Sequence, residues 1–290
     1  MPCLQKLFAM RTLPSFDFGV SDILSEIIKI DGRMSISGVQ PKISLRLNRE
    51  KNVLEIIAEN GEYILKPQTQ SIKNLPENEQ LCMTLADIAG FSSPPHALIR
   101  LKDNTFAYIV KRFDRKDGAK IHQEDFQQIL ALNINDKYQG SYEKIGKAIK
   151  NISTVPGLDL QFFYERILFY FMIGNGDAHA KNFSMQYFDD GQRRLSPVYD
   201  IVSSRLAIPE EKEETALALN GKRNNITLSD FSSLSQYLNI LQVAKINNTL
   251  LDMKDDFINT INAYKLFSFE IRKRFKEVIR SRISALNKQI

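Results

Sequence analysis

Gly174-Asn175-Gly176-Asp177-Ala178-His179-Ala180-Lys181-Asn182 follows directly on the apolar run Ile167-Leu168-Phe169-Tyr170-Phe171-Met172-Ile173. The run reads as a buried helix, and the residues after it deliver an Asp, a His, a Lys and an Asn into one short turn. A second Asp, Asp200, follows in Val198-Tyr199-Asp200-Ile201-Val202. An Asp, an Asn five positions on, a hairpin-like stretch and another Asp give the spacing of a catalytic loop and a metal-binding loop for phosphoryl transfer. In such chemistry Asp177 would align a hydroxyl and accept its proton late. Asn182 and Asp200 offer hard oxygen ligands, suited to Mg²⁺ bridging phosphates. His179 and Lys181 could neutralise charge on the transferred group. A turn that merely satisfies its own polar groups is the competing reading. A metal site pairing His179 with His122 or His96 lacks any Cys/His ligand spacing.

Outward from this turn, the N-terminal side reads as a small sheet with one helix. Residues 41–47 alternate apolar and polar, as a half-buried strand does. Residues 53–58 predict a second strand, Asn60-Gly61 a hairpin turn, and residues 63–66 a third strand. Pro76 opens a helix that runs to Ala89 and stops at Gly90. Residues 106–113 return to strand character. Ahead of all this, residues 21–30 predict a short helix capped by Ser21 or Asp22. From His122 onward helical segments dominate, broken by a hairpin-like stretch over 182–202 with Asp189-Asp190-Gly191 at its turn. The order predicts an α+β, bilobal fold on the protein-kinase plan. Residues 1–112 would form the nucleotide-binding lobe and residues 113–290 the mainly helical catalytic lobe.

Composition is compatible with that plan. The chain has 290 residues, 43% hydrophobic and 25% charged, enough to bury a substantial core. Cys3 and Cys82 cannot build a disulfide framework, which favours a reducing cytoplasm. Lys6 and Arg11 interrupt the first residues, so no signal peptide is expected. The longest apolar run falls short of the roughly 20 residues that cross a bilayer, so no membrane association is expected. The net charge is +5, and residues 264–290 hold eight Lys or Arg against two Glu. Either a solvated amphipathic helix or a patch facing nucleic acid or an acidic partner would explain that excess.

Three further stretches carry candidate chemistry. Ser35-Ile36-Ser37-Gly38-Val39-Gln40-Pro41-Lys42 has small residues that would let backbone N–H groups approach phosphates, although a plain turn before a strand also fits. Lys66 ends the third strand, where a kinase places its phosphate-holding lysine; an exposed strand-end lysine is the alternative. Its helix partner would be Glu79, with Glu77 as a rival. Val110-Lys111-Arg112-Phe113-Asp114-Arg115 falls where the lobes would join. Phe113 could pack on a base there and Asp114 could accept from a ribose hydroxyl.

With these parts in place, the chain resembles the HipA-like serine/threonine kinases of bacterial toxin–antitoxin systems. The resemblance rests on Gly38-Val39-Gln40-Pro41-Lys42, Tyr63-Ile64-Leu65-Lys66-Pro67, Asn78-Glu79, Arg112-Phe113-Asp114-Arg115, residues 122–126, residues 176–184 and Pro197-Val198-Tyr199-Asp200. It implies ATP contacts from Ser37, Gly38, Val39, Gln40, Pro41 and Lys42, from Lys66, from Lys111, Arg112 and Phe113, from His179 and Asn182, and from Tyr199 and Asp200. It makes Asp177 the catalytic base and Ser35 a site of autophosphorylation, with Ser37 as a second candidate. It also implies phosphorylation of a serine on an aminoacyl-tRNA synthetase, of tryptophanyl type, which stalls translation. The paired serines and the 34 residues ahead of Ser35 look like the shorter HipT branch. Its partners would be a small HipS-like antitoxin and a HipB-like DNA-binding antitoxin, through which DNA would be met indirectly. The reading from another class is an ATP-binding regulator without catalysis, acting through a DNA-binding antitoxin complex.

Overall fold

The computed structural model describes residues 2–31, 40–116, 118–133, 139–208 and 210–287. Two helices come first, α1 (Pro2–Phe8) and α2 (Val20–Asp31). The second starts one residue ahead of the predicted span. Asp103, from a distant turn, accepts the Val20 N–H at 2.8 Å, and Asp22 accepts that of Gly19 at 2.9 Å. A tertiary cap of that kind leaves no local signature.

Next come β1 (Ile43–Asn48), β2 (Val53–Ile56), β3 (Tyr63–Pro67), α3 (Leu75–Ile88), β4 (His96–Arg100) and β5 (Phe106–Lys111). Along β1 the inward residues are Ile43, Leu45 and Leu47, the period-two pattern of the sequence. The sheet is antiparallel, in the order β2-β1-β3-β5-β4. The expected Asn60-Gly61 hairpin is therefore wrong, because β2 and β3 lie on opposite sides of β1. Gly61 serves a different need: a Cβ there would stand 2.8 Å from the Leu45 carbonyl oxygen. Only glycine lets the crossing chain pass that close. The actual hairpin joins β1 to β2, with Asn52 at φ 52°. The edge strand β4, which has no alternating pattern, is an addition to the predicted set.

A two-stranded ribbon, β6 (Arg115–Lys116) and β7 (Ala119–Lys120), leads to β8 (His122–Asp125) and α4 (Phe126–Ile129). The helices α5 (Tyr142–Ile152) and α6 (Pro156–Met172) follow, then β9 (Ser184–Tyr187) and β10 (Arg193–Leu195). The predicted hairpin is thus present but gains a third strand, because β8 pairs with β9. After it come α7 (Ser204–Ala207), α8 (Leu228–Leu238), α9 (Val243–Asp252), α10 (Lys254–Ala263) and α11 (Phe269–Asn287).

Helix α6 is apolar on nearly every side and runs through the larger core, where Phe163, Phe169, Phe171, Phe183, Phe231 and Phe275 are each at most 1% exposed. That core also takes in Leu81, Cys82 and Leu85 of α3. A smaller core fills the space between α1, α2 and the sheet, built on Phe8, Ile23, Leu45, Tyr63 and Ile109. Helix α3 therefore touches the sheet on one side and the helical part on the other. Cys82 is fully buried, and burial pushes its thiol up, so it is packing material. Among the described residues no helix is long and apolar enough to cross a membrane.

Several cations of α11 are spent inside the fold. Arg274 donates to the Leu206 carbonyl at 2.5 Å, and Arg272 and Lys276 hold the Asn262 backbone and side chain at 2.7 Å. Arg282 pairs with Glu214 and lies 5.0 Å from the Phe171 ring centre. Lys273 and Arg280 remain on the exposed face.

Candidate active site

Lys66 stands near the middle of the sheet, on β3, and is 3% exposed. Its Nζ donates to Glu79 Oε1 and to Asp200 Oδ1, each at 2.5 Å. Lys42 donates to the other oxygen of Asp200 at 2.9 Å. Two cations and two carboxylates thus alternate as Glu79, Lys66, Asp200, Lys42, balancing charge where an isolated ion would cost several kcal/mol. The strand-end alternative for Lys66 is excluded by its burial. The rivalry between the two glutamates is also resolved: Glu79 meets Lys66, whereas Glu77 reaches a different environment, its carboxyl pushed up by burial.

Burial raises the Asp200 carboxyl, but Lys66 and Lys42 override it and hold the group far below the usual carboxylate range. For Lys66, burial favours the neutral amine, and Asp200 and Glu79 outweigh it, so the ammonium persists above its ordinary range. Glu79 stays raised, because burial and the Asp200 charge together exceed the pull of Lys66. Asp200 itself has φ 58°, a left-handed conformation that Asp tolerates better than most residues.

The turn after α6 is built by its glycines and its own polar groups. Gly174 has φ 69°, and a Cβ there would stand 2.6 Å from Val278 Cγ1. At Gly176 a Cβ would stand 2.8 Å from the Glu213 carbonyl oxygen. Asn175 Oδ1 accepts the Asp177 N–H at 3.3 Å, while the His179 N–H donates to the Asp177 carbonyl at 2.8 Å and to Asn182 Oδ1 at 3.0 Å. Asn175, Ala178, His179 and Ala180 are buried, whereas Asp177 between them is exposed. The Asx-type network weighed as a competing reading is present, and it presents the acid. Lys181 is exposed, and Asn182 is half-buried.

Tyr199 ties this turn to Asp200. Its hydroxyl donates to the Lys181 carbonyl at 2.9 Å and accepts from Ser184, and its ring lies 5.3 Å from that of Phe113. Gln40 donates to the Pro67 carbonyl at 2.8 Å, fixing the chain just before Pro41 and Lys42 at the end of β3. Asp114 is engaged by Arg112 at 2.6 and 2.9 Å and by Arg115 at 2.7 Å. Burial raises its carboxyl, and these guanidiniums hold it below the ordinary range. Lys111 closes β5 beside them. Ser35, Ser37, Gly38 and Val39 lie outside the described residues. His96 and His122 sit on β4 and β8 with carboxylate neighbours of their own, Asp87 and Glu124. Among the described residues no three His, Cys, Asp or Glu gather as a metal cluster.

Sequence reasoning passed over Asn78, Ser203 and Ser204 as functional residues. Asn78 bonds both the N–H and the carbonyl of Ser203, at 3.0 Å each, and Ser204 Oγ accepts the Gly176 N–H at 2.9 Å. Such contacts span more than twenty positions, and only the Asn78-Glu79 adjacency hinted at them.

The model of the HipA-like C-terminal domain matches residues 34–263. The chain belongs to the HipA-like family. A Haemophilus influenzae protein named "Putative kinase" is 34% identical over 200 residues, which is 64% of this chain and 57% of that protein. The chain spans about half the length of the curated relatives it matches. Among solved structures, Shewanella oneidensis HipA, in a complex with HipB and operator DNA, superposes with a TM-score of 0.74 at 21% identity, over 94% of this chain and 73% of that one. The Helicobacter pylori proinflammatory kinase CtkA superposes with a TM-score of 0.57 at 15% identity, over 80% and 88% of the two chains. The HipA-like chain therefore has the α+β fold of these kinases.

Proposed function

We propose that this HipA-like protein is an ATP-dependent serine/threonine protein kinase of a toxin–antitoxin system, with residues 1–112 as the nucleotide-binding lobe and residues 113–290 as the catalytic lobe. One observation carries the reading: Lys66 is held between Glu79 and Asp200, beside a turn that presents Asp177 to solvent. An apolar side chain would fill that buried space at least as well. A fixed ammonium next to a carboxylate instead suits phosphate oxygens and their counter-ion.

The donor set fits Mg²⁺, since Asp200 and Asn182 provide hard oxygens and Lys42, half exposed, can release Oδ2 of Asp200. Asp200 and Asn182 would hold the ion, which would supply charge neutralisation for the ATP phosphates. Lys66, Lys42, His179 and Lys181 would meet the phosphates, and the resemblance adds Ser37, Gly38, Val39, Gln40 and Pro41 as ATP contacts. Lys111, Arg112, Phe113 and Tyr199 meet the nucleoside. Asp114, already held by two arginines, serves that wall by fixing Arg112. Asp177 aligns the substrate serine hydroxyl and takes its proton as the new O–P bond forms and the β–γ bridge bond breaks, leaving ADP.

The acceptor is a serine of an aminoacyl-tRNA synthetase, of tryptophanyl type, so that the protein blocks translation in the bacterial cytoplasm. Ser35 is autophosphorylated, with Ser37 as the second candidate, in keeping with the resemblance to the HipT branch. Family membership supports both statements. A HipB-like DNA-binding antitoxin, alone or with a HipS-like one, is the partner, a reading supported by the HipA–HipB–operator DNA assembly of the Shewanella relative. The test is incubation of purified protein with Mg-ATP and candidate synthetases, followed by phosphopeptide mapping. Phosphate should appear on the synthetase and at Ser35 or Ser37, and protein that labels neither would refute the proposal.

A further inference from the structure

Asn78-Glu79 on α3, Ser203-Ser204 after Asp200, and Gly176 in the turn, next to the exposed Asp177, are joined through buried hydrogen bonds. The Asn78 amide donates from Nδ2 to the Ser203 carbonyl and accepts the Ser203 N–H on Oδ1, both at 3.0 Å. Cys82 Sγ also donates to that oxygen, at 3.3 Å. Two opposed bonds to one residue fix its position and its direction, and the planar amide of Asn78 supplies the donor and the acceptor in a fixed geometry. One residue on, Ser204 Oγ accepts the Gly176 N–H at 2.9 Å and donates to the Gly174 carbonyl at 3.4 Å. Asn78, Ser203 and Ser204 are 2%, 0% and 5% exposed, so no water competes for these bonds.

The consequence is mechanical. Glu79, which holds Lys66, follows Asn78, and Asp177 follows Gly176. We infer that Asn78 and Ser204 are positioning residues, a hydrogen-bonded relay that sets the Asp177 carboxylate against the Lys66–Asp200 pair. The inference rests on the kinase reading above, since its value is alignment of a base with a phosphate-holding cation. A misplacement of about 1 Å in such a site can cost on the order of 100-fold in rate.

The experiment uses the full chain with Asn78→Leu, Asn78→Asp, Ser204→Ala and the Asn78→Leu/Ser204→Ala double variant. Asn78→Asp keeps the acceptor and loses the donor, and guards against a leucine that fails to fold. Phosphotransfer kcat, Mg-ATP affinity and amide hydrogen exchange over residues 174–180 are measured for each. Single variants should lose roughly 10- to 100-fold in kcat, with Asn78→Asp between wild type and Asn78→Leu. Mg-ATP affinity should stay within about twofold, and the double variant should be little worse than the poorer single one, because the two act in series. Exchange at the Asp177 turn should quicken in the Asn78 variants, although the side-chain hydrogen bonds of Asn78 go to Ser203 and Cys82 and not to that turn. Unchanged kcat, loss of kcat and nucleotide affinity in parallel, or additive losses would overturn the relay. If wild-type protein transfers no phosphate, the kinase reading falls, and exchange alone decides the relay: protection at residues 174–180 unaltered by Asn78→Asp and Asn78→Leu would refute it.

Discussion

Replacing Lys66 by Met probes the centre of the charge network without leaving a large void. The side chain is 4% exposed and its partner Glu79 is 1% exposed, so solvent gives no relief. Asp200, 31% exposed, would keep only Lys42. Removing one member of a buried ion pair costs about 3–5 kcal/mol. At about 2–4 °C per kcal/mol for a chain approaching this size, the melting temperature should fall by roughly 6–20 °C at pH 8. The pH dependence gives the sharper signature. In wild type the depressed Asp200 contributes stability that is present above about pH 4 and is lost as pH falls through its folded value. The raised Lys66 contributes stability that is present below about pH 10 and is lost as pH rises through its folded value. Between those limits the Asp200 and Lys66 contributions are flat, and the raised Glu79 already lowers wild-type stability somewhat as pH climbs through its folded value. In Lys66→Met, Glu79 loses the charge that restrains it and rises further. A carboxyl raised on folding favours the folded state at low pH, and that gain disappears as pH climbs through the raised value. The penalty should therefore shrink from pH 8 to pH 5, by up to about 1.4 kcal/mol per unit of upward shift in Glu79. Urea unfolding of wild type, Lys66→Met, Glu79→Gln and the double variant at both pH values measures this. The double variant should recover more than about 1 kcal/mol relative to the sum of the singles. A loss below about 1 kcal/mol, an identical loss at both pH values, or strict additivity would refute the reasoning.

Asp177→Gln should lower phosphotransfer by about 10²–10⁴ while shifting stability by less than about 0.5 kcal/mol, because the side chain is exposed; labelling with Mg-ATP and thermal melts read the two effects. Gly176→Ala should destabilise by about 1–3 kcal/mol, since its Cβ would meet the Glu213 carbonyl at 2.8 Å. Gly157→Ala, near the start of α6 with open space around it, should instead stabilise by about 0.4–1 kcal/mol; paired urea titrations compare them. Ser35→Asp, which puts a negative charge in the loop proposed to cover phosphates, should weaken Mg-ATP binding relative to Ser35→Ala in calorimetry, and equal affinity would remove that loop from the nucleotide site.

Where the prediction and the fold part company, the cause is contact across distance. Asn60-Gly61 carries a strong hairpin signature, yet β3 pairs with β1, because the buried faces of both strands match and Gly61 permits a close crossing. The basic C-terminal segment reads as a solvated amphipathic helix, with a patch facing nucleic acid or an acidic partner as the alternative. Arg272, Arg274 and Arg282 in fact hold Asn262, the Leu206 carbonyl, Glu214 and the Phe171 ring, partners that periodicity cannot indicate.

The sequence by itself determined the parts and their order. Alternating residues in β1 and the apolar run of α6 specify their own local structure, because burial periodicity is written in neighbouring residues. The spacing of Asp177, Asn182 and Asp200 likewise names a chemistry, because that chemistry needs an acid and two hard ligands in a fixed succession. Tertiary structure alone decided which charges meet. It placed Lys66 on Glu79 rather than Glu77, set Lys42 on the second oxygen of Asp200, and ran Asn78 through Ser203 and Ser204 to the Asp177 turn. The Glu79 and Asn78 pairings depend on how α3 is wedged between the sheet and the large core, and that packing is a property of the whole chain.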